Sequence, residues 1–260
     1  MRIAFITDIH VGAAGEEPQG VDVRQNFLDA LESIKQLKPT CLVIGGDVCN
    51  TGADRSVYEW VKRQLDPLPF PYYVISGNHD DSALLADVFR MTHDLHDNEL
   101  YYALPLEGRP TLFLDSSKGV FSPEQWAWLR DYMSALRDTN VLVFMHHPPI
   151  PADVLFMDTN YPFRQPDEFL ALVKDLPCHV TVVCGHYHVE KEVLRGNLLV
   201  LLTPSTFYQM KQDTAGFAVD NYRIGIREIN LTTHGTISAV HYLEPTKKRM
   251  TQADSSPKQT

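Results

Sequence analysis

The stretch "IAFITDIH", residues 3–10, joins a strand-like apolar run to two metal-binding residue types, Asp8 and His10. The apolar part is rich in β-branched and aromatic residues and shows little alternation, which is typical of a strand buried on both faces. Similar apolar runs recur along the chain, at residues 41–45, 72–76, 111–115, 141–145 and 180–184. We therefore predict buried strands that are covered on both sides.

Helical patterns lie between these runs. Residues 22–38 carry apolar side chains at helical spacing, and Asp22 is the candidate N-cap. Residues 122–137 open with Ser122 as the cap, a proline at the first helical position and Gln125 three residues after the cap. This order is a capping-box pattern and predicts a helix that begins at Ser122.

The order of the elements indicates the fold class. Residues 167–176 form another short helical pattern, and after residue 190 the sequence reads as strands without long helices between them. This order indicates an α/β fold whose layered sheet is completed by antiparallel strands. We predict a single domain over residues 1–245 and a disordered polar tail over 246–260.

Composition excludes several classes of protein. The 260-residue chain has a formal net charge of -10, which argues against sequence-independent nucleic-acid binding but does not exclude a phosphate-bearing substrate. Its four cysteines form no CxxC pair, so reduced thiols are expected. No apolar run approaches membrane-spanning length. We expect a cytoplasmic protein with no membrane span and no stable nucleic-acid partner.

Polar clusters follow the apolar runs. They comprise Asp8 with His10, then Asp47, then Asn78 with His79 and Asp80, then His146 with His147, and finally His186 with His188. In open α/β sheets, ligands bind beyond the carboxyl ends of the strands, so these clusters are expected to converge. Their carboxylate, imidazole and amide groups suit Zn, Mn or Fe, and no thiolate belongs to the set.

Spacing supports this interpretation, although each cluster alone has an ordinary structural explanation. A single histidine after a strand is more often a satisfied polar residue, and Asp47 alone is equally a cap or a turn former. In D-x-H and H-x-H, side chains two apart share a face of an extended chain. A carboxylate can bridge two cations, and Asp47 is the best candidate for that role. The glycines before Asp47, Asn78 and His186 are expected to permit tight turns. Together the clusters predict a metal site.

The ordered set of motifs resembles the calcineurin-like metallophosphoesterase family. The resemblance runs from residue 5 to about residue 188, through Asp-x-His, Gly-Asp, Gly-Asn-His-Asp, a histidine and Gly-His-x-His. The motifs "NHDD" and "MHHPP" and the compact length most resemble the bacterial branch that contains class III cyclic-nucleotide phosphodiesterases and glycerophosphodiesterases. The resemblance implies a four-layer αββα sandwich of two mixed sheets flanked by helices.

The resemblance also implies a role for each motif residue. One metal ion would be held by Asp8, His10 and His188, and the other by Asn78, His146 and His186, with Asp47 between them. His79 would approach the phosphate or the leaving oxygen without being a metal ligand, and Asn78 and His79 would contact the substrate. Relatives with the form His-x-Pro align with His146, so we expect His147 to face into packing instead.

The implied function is phosphoester hydrolysis. Two metal ions suit in-line attack of an activated water on phosphorus, with His79 protonating or stabilising the leaving oxygen. We expect a small phosphodiester substrate, with 3′,5′-cyclic nucleotides first and glycerophosphodiesters second. A broad phosphomonoesterase, a nuclease and a non-catalytic interaction scaffold are the alternatives. Iron and manganese are the leading metals, zinc and cobalt also fit, and the branch suggests a homo-oligomer, a dimer or larger.

Two segments are candidate walls of the substrate site. Residues 150–165 form a candidate loop that mixes aromatic residues with Asp158, Asn160 and Arg164, as a substrate-covering loop does. A surface loop with a few buried anchors explains this segment equally well. Residues 205–212 form the second candidate, and a core or edge strand is at least as good an explanation of it.

Overall fold

The secondary structure follows the predicted alternation. The computed structural model describes residues 1–136, 139–232 and 235–246. Its strands are β1 (Arg2–Ile6), β2 (Cys41–Ile44), β3 (Tyr72–Val74), β4 (Leu95–His96), β5 (Glu99–Leu100), β6 (Tyr102–Leu106), β7 (Arg109–Phe113), β8 (Val141–Phe144), β9 (Val180–Cys184), β10 (Lys191–Arg195), β11 (Leu198–Leu202), β12 (Gln209–Met210), β13 (Val219–Asn221), β14 (Ile224–Thr232) and β15 (Gly235–Leu243).

Helices connect the parallel strands. They are α1 (Val23–Leu37), α2 (Arg55–Leu65), α3 (Ser82–Phe89), α4 (Pro123–Ser134), α5 (Leu155–Asn160) and α6 (Pro166–Lys174), with short 3₁₀ turns at Pro18–Gly20 and Thr92–Asp94. Asp22 and Ser122 cap α1 and α4 as predicted, because each side chain accepts a hydrogen bond from a first-turn backbone N–H. The Gln125 side chain does not complete the capping box; its amide bonds both backbone groups of Asp115.

Two mixed sheets form the centre of the molecule. One has the order β15-β14-β1-β2-β3, in which β1, β2 and β3 are parallel and the two late strands are antiparallel. The other has the order β10-β11-β9-β8-β7-β6, with parallel pairing from β11 through β7 and antiparallel strands at both edges. The late strands complete the sheets as the sequence predicted.

The sheets pack face to face through aromatic rings. Phe5 of β1 stacks on Phe144 of β8 with ring centroids 5.6 Å apart, and Tyr73 of β3 lies 5.4 Å from Phe113 of β7. The Tyr102 hydroxyl donates to the carbonyl oxygen of Val74 across the same layer. These contacts hold the two sets of parallel strands at a fixed relative position.

Helices cover the outer faces of both sheets. The helices α1, α2 and α3 join the hydrophobic cluster of the first sheet, through residues such as Phe27, Val61 and Leu85. The helices α4 and α6 pack on the second sheet through Leu129 and Phe169. The predicted four-layer αββα sandwich is therefore confirmed. The single domain over 1–245 stays a prediction, and residues 247–260 of the predicted tail lie outside the described residues.

Candidate metal centre

The predicted ligands meet at one edge of the sandwich, at the carboxyl ends of parallel strands. From the first sheet come Asp8, His10, Asp47 and Asn78, and from the second come His146, His186 and His188. Backbone bonds join the loops within each sheet: Asp8 N donates to Gly46 O and Gly185 N donates to His146 O, both at 3.0 Å. The two sheets are joined where the backbone N–H of His186 donates to the Asp8 carboxylate, 2.9 Å away.

One group of metal-binding atoms combines Asp8, His10 and His188. All three side chains are buried, and one ligand atom of each lies within 4.8 Å of the others. Asp8 Oδ1 is 3.3 Å from His188 Nε2, and the Nε2 atoms of His10 and His188 are 3.1 Å apart. Ligands about 2.1 Å from one ion and at right angles to each other would lie about 3 Å apart, so these separations suit a shared cation.

A second group combines Asp47, His146 and His186, which are also buried and within the same 4.8 Å limit. Asp47 Oδ2 lies 3.3 Å from His146 Nε2 and 3.8 Å from His10 Nε2, so this carboxylate faces both groups. That position is the one expected of a bridging ligand. Asn78 is exposed in the wall of the adjoining cavity.

Hydrogen bonds to carbonyl oxygens fix the tautomers of three imidazoles. His146 Nδ1 donates to Gly45 O at 2.8 Å, and His188 Nδ1 donates to Tyr208 O at 3.0 Å. His186 uses its other nitrogen, with Nε2 donating to the carbonyl oxygen of Tyr161 at 2.9 Å. Because a carbonyl only accepts, the second nitrogen of each neutral ring carries a lone pair, as a metal ligand requires.

The donor set fits a pair of cations. The buried Nε2 atom of His146 has no hydrogen-bond partner, although it lies 3.3 Å from Asp47 Oδ2 and 3.8 Å from Asp8 Oδ1. A lone pair facing two carboxylates is unfavourable unless a positive charge lies between them. Oxygen and nitrogen donors without sulfur admit Mn, Fe, Zn or Co.

The electrostatics of the group favour the same conclusion. Burial alone would raise the pKa of Asp8, but the His188 and His146 imidazoles hold it below its usual value. Burial lowers the pKa of His10 to about 3 and that of His186 to about 4, so both rings are neutral at pH 7. Burial also opposes charge on His146, yet Asp47 and Asp8 raise its pKa to about 10. Without a metal ion the His146 Nε2 would therefore hold a proton between these carboxylates, where a bound cation would otherwise supply the positive charge.

The backbone is left-handed at five of the seven predicted ligands. The φ angles are 53° at Asp8, 44° at His10, 50° at Asp47, 67° at His186 and 53° at His188. Non-glycine residues in this region cost about 1–3 kcal/mol each and concentrate at functional sites. The expectation that D-x-H and H-x-H are extended was therefore wrong. Asp8 and His10 still reach one group, whereas His186 and His188 separate into the two groups.

Glycines let the loops approach the carboxylates. Gly46 has a φ of +90°, so it provides the predicted tight turn before Asp47. At the other two positions the need is for space: a Cβ at Gly77 would lie 2.2 Å from Asp47 Oδ1, and one at Gly185 would lie 2.4 Å from Asp8 Oδ2. These two glycines serve close approach of the chain, and the turn interpretation applies to Gly46 alone of the three.

The two histidines of the His146–His147 doublet face different surroundings. His146 faces the two carboxylates, while the His147 ring packs on His186 with centroids 4.0 Å apart. Its Nδ1 lies 3.2 Å from Ser116 Oγ. His147 is thus placed to support the ring of a predicted ligand.

Asp80 supports the loops that carry Asp47 and Asn78, a role that was not predicted from the sequence. Its carboxylate accepts hydrogen bonds from the backbone N–H groups of Val48, Cys49 and Gly77 at 3.1, 3.2 and 2.9 Å. The Tyr58 hydroxyl donates to it at 3.0 Å. Asp80 therefore joins the loop after β2 to the loop after β3. Its place directly after the Asn-His pair was the available signal.

His79 lies between the metal-binding groups and an open cavity. Its side chain is 37% exposed, and its Nε2 is 3.9 Å from Asp47 Oδ2. Its backbone N–H donates to Asp47 Oδ1 at 2.9 Å, which fixes the start of the side chain. His79 also forms a third group of metal-binding side chains with His10 and Asp47. The cavity has a volume of about 490 Å³ and is lined by predicted ligands from both groups.

The segment 150–165 contributes apolar side chains to the cavity, with the short helix α5 inside it. Asp158 accepts from the backbone of Ala152 and Val154, Asn160 bonds Phe156 O, and Arg164 bonds Lys118 O, so these polar residues hold the segment together. The cavity is instead lined from this side by Phe156, Met157 and Tyr161, and from residues 205–217 by Phe207, Tyr208, Met210 and Phe217.

Comparison with known proteins agrees with this geometry. Residues 1–190 match the model of the family described as calcineurin-like phosphoesterase. The chain belongs to this family. Its enzyme class, a metal-dependent phosphoric ester hydrolase, is the one predicted from the motifs.

Several bacterial phosphodiesterases are similar in sequence to this calcineurin-like phosphoesterase. A probable cyclic nucleotide phosphodiesterase of Fibrobacter succinogenes is 31% identical over 85% of this chain and 86% of the relative. A glycerophosphodiester phosphodiesterase of Enterobacter lignolyticus is 30% identical over 81% and 79%. A 3′,5′-cyclic-nucleotide phosphodiesterase of Nostoc is 28% identical over 95% and 96%. The resemblance to this bacterial branch is confirmed.

Solved structures agree on the fold of this calcineurin-like phosphoesterase. The structure of PhoD superposes with a TM-score of 0.56 at 11% identity, covering 96% of this chain and 72% of PhoD.

In the part of the chain that the structure describes, none of the helices has the length and apolar character of a membrane span.

Proposed function

We propose that this protein is a phosphodiesterase that uses two metal ions and acts on 3′,5′-cyclic nucleotides. The observation that carries the proposal is Asp47, whose carboxylate faces two buried His/Asp groups at the floor of an open cavity. We assign Asp8, His10 and His188 to one ion and Asn78, His146 and His186 to the other, with Asp47 shared. Iron and manganese are the proposed metals, and zinc or cobalt also fits the donors.

The residues of this chain would act around that pair. The ions would supply positive charge for the phosphate oxygens and lower the pKa of an attacking water. Asn78 would contact the phosphate from the exposed cavity wall. His79, half-buried beside Asp47, would donate a proton to the leaving oxygen or stabilise its charge, since its side chain reaches the cavity from a fixed backbone.

The cavity favours a diester over a substrate with further phosphates. Among the described residues that line it there is no lysine or arginine, and several side chains are aromatic. A second phosphate would find no cationic partner there, whereas a planar base would find apolar surface. Relatives named for cyclic nucleotides and for glycerophosphodiesters both match the chain, so the glycerophosphodiesterase is the second candidate.

A hydrolysis panel with manganese tests the proposal. It compares cyclic AMP, cyclic GMP, a glycerophosphodiester, bis-p-nitrophenyl phosphate and p-nitrophenyl phosphate at equal concentration. The cyclic nucleotides are expected to give the highest kcat/KM. Preference for the glycerophosphodiester would select the second candidate, and preference for p-nitrophenyl phosphate would reject the diesterase altogether. Full metal occupancy with no turnover on any phosphoester would favour a non-catalytic scaffold.

Two substitutions separate the proposed roles. His79→Ala is expected to lose turnover while retaining both ions, because its ring faces the cavity. Asp47→Ala is expected to empty or scramble the pair, because its carboxylate faces both groups. Elemental analysis beside the turnover assay distinguishes the two, and wild-type turnover in His79→Ala would contradict its role. A cytoplasmic location and a homo-oligomer stay predictions.

A further inference from the structure

Aromatic rings form a continuous arc along the cavity wall, beginning beside His188. The Tyr208 ring lies 4.4 Å from the ring of His188, and Phe217 lies 5.8 Å from Tyr208. Phe156 follows at 6.1 Å from Phe217, and Tyr161 at 5.8 Å from Phe156, all between ring centroids. We call Phe156, Tyr161, Tyr208 and Phe217 the aromatic arc, and all four line the cavity.

The outer rings of the aromatic arc are exposed. Tyr161 is 53% exposed and Phe217 is 52% exposed, among the few large apolar side chains of the described residues left this open to water. Exposed apolar side chains that cluster in a concave site mark binding surfaces rather than packing. Their place beside the predicted ligands indicates that the bound group is part of the substrate.

Backbone contacts hold the aromatic arc in a fixed position relative to the metal centre. The carbonyl oxygen of Tyr161 accepts the hydrogen bond of His186 Nε2, so one residue orients a predicted ligand and carries a ring of the arc. The carbonyl oxygen of Tyr208 does the same for His188. Leu155 N donates to Gln212 O at 3.0 Å, which joins the segment that carries Phe156 and Tyr161 to the segment that carries Phe217.

We propose that the aromatic arc is the subsite that stacks the nucleobase of the diester and thereby determines specificity for aromatic over aliphatic diesters. This inference rests on the proposed function and names the residues that select its substrate. A base in this position presents a flat face to Phe217 and Tyr161 while its phosphate reaches Asn78 and His79. Stacking accepts any base, so adenine and guanine are expected to bind alike.

The test compares two inhibitors of the manganese-loaded enzyme, AMP and inorganic phosphate, with bis-p-nitrophenyl phosphate as the reporter substrate. Both inhibitors offer a phosphate, and only AMP offers a base. In Phe217→Ala the inhibition constant of AMP is expected to rise about 5-fold to 150-fold, and that of phosphate to change less than about twofold. Tyr161→Ala is expected to behave in the same way. Because both side chains are half exposed, the variants should fold.

Two further variants sharpen the comparison. Phe217→Leu keeps apolar area without a π face, so the inhibition constant of AMP is expected to rise most of the way to that of Phe217→Ala. Phe217→Tyr keeps the π face, so its inhibition constant for AMP is expected to stay near that of the wild type. Leu194→Ala removes another exposed apolar side chain, 73% exposed on β10, and should leave both inhibition constants unchanged. Equal changes for AMP and phosphate, unchanged AMP inhibition in Phe217→Ala, or full AMP inhibition in Phe217→Leu would each overturn the stacking subsite.

Failure of the proposed function gives a different result. If the manganese-loaded protein hydrolyses no diester, dissociation constants of AMP and phosphate from calorimetry on the same variants make the same comparison. The subsite is then supported if Phe217→Ala weakens AMP binding more than phosphate binding, and rejected if the two dissociation constants change equally. The other result is that diesters are hydrolysed and the ratio of the inhibition constants of AMP and phosphate is the same in all variants. In that case the enzyme is a phosphodiesterase and the aromatic arc does not select its substrate.

Discussion

The histidine doublet provides a matched pair of variants for the metal centre. His146 and His147 are adjacent, equal in size and both buried, with 0% and 4% exposure. His146→Ala leaves the Gly45 carbonyl without its donor, and His147→Ala removes the bond to Ser116. Each change should lower the free energy of unfolding of the metal-free protein by a similar amount, about 2–4 kcal/mol, from a lost hydrogen bond and a cavity.

Manganese should separate the two variants. An ion at 100 times its dissociation constant stabilises the folded state by about 2.7 kcal/mol per site, so two sites give about 5 kcal/mol. Wild type and His147→Ala should therefore gain about 5 kcal/mol, because both keep two ions. His146→Ala should gain only about 2.7 kcal/mol, because the group with Asp47 and His186 loses a ligand.

The assay is urea unfolding with and without manganese, beside elemental analysis after gel filtration. Two ions in His147→Ala and one in His146→Ala are expected. The reverse pattern would show that His147 is the ligand. If both variants bound the same number of ions and gained the same unfolding free energy from manganese, neither or both histidines would be ligands. That result would refute the reasoning.

Three other outcomes follow from the structure. Gly185→Ala should bind less metal by elemental analysis and lose about 1–3 kcal/mol of unfolding free energy in a urea titration, because its Cβ would lie 2.4 Å from Asp8 Oδ2. Gly216→Ala is the control: its Cβ would have nothing within 4 Å, so it should match wild type in both measurements. Tyr58→Phe should lower the free energy of unfolding by about 1.5–3 kcal/mol in a urea titration, because Asp80 loses a hydroxyl donor; a change below about 0.5 kcal/mol would contradict this. Chelation of the metals should lower the melting temperature, and an unchanged value would argue against structural coupling of the ions.

The sequence was most informative where chemistry and strand ends coincide. Asp8, Asp47 and His146 each lie at or just past the end of an apolar run, so their convergence at one sheet edge followed from the parallel arrangement. The left-handed backbone at Asp8 and Asp47 was not predicted, because aspartate adopts that region more readily than most residues but its presence in the sequence does not require it. The helices α2 and α3 were also missed. The eight residues of α3 give a weak periodic signal, whereas α2 buries Val57, Val61 and Leu65 at clear helical spacing and was within reach of the pattern.

The cavity walls were less predictable because their role depends on distant contacts. In segment 150–165 the polar residues drew attention, yet Asp158 bonds the backbone of its own segment and Tyr187. The aromatic residues of the same segment are held at the cavity in part by the bond from Leu155 N to Gln212 O, a contact across 57 residues of chain. No periodicity records such a pairing. Asp80 was overlooked for the same reason, as its partners lie on two other loops.

The division of the proposed ligands between two sheets would make the metal centre sensitive to movement of one sheet relative to the other. Asp47 approaches from the first sheet and His146 from the second, so a relative movement of about 1 Å would spoil the coordination distances. The register between the sheets is set in the interior, where Phe5 meets Phe144. The metal affinity therefore depends on how the two sheets are aligned in the core. A substitution in the aromatic layer between them should change that affinity even though it alters none of the proposed ligands.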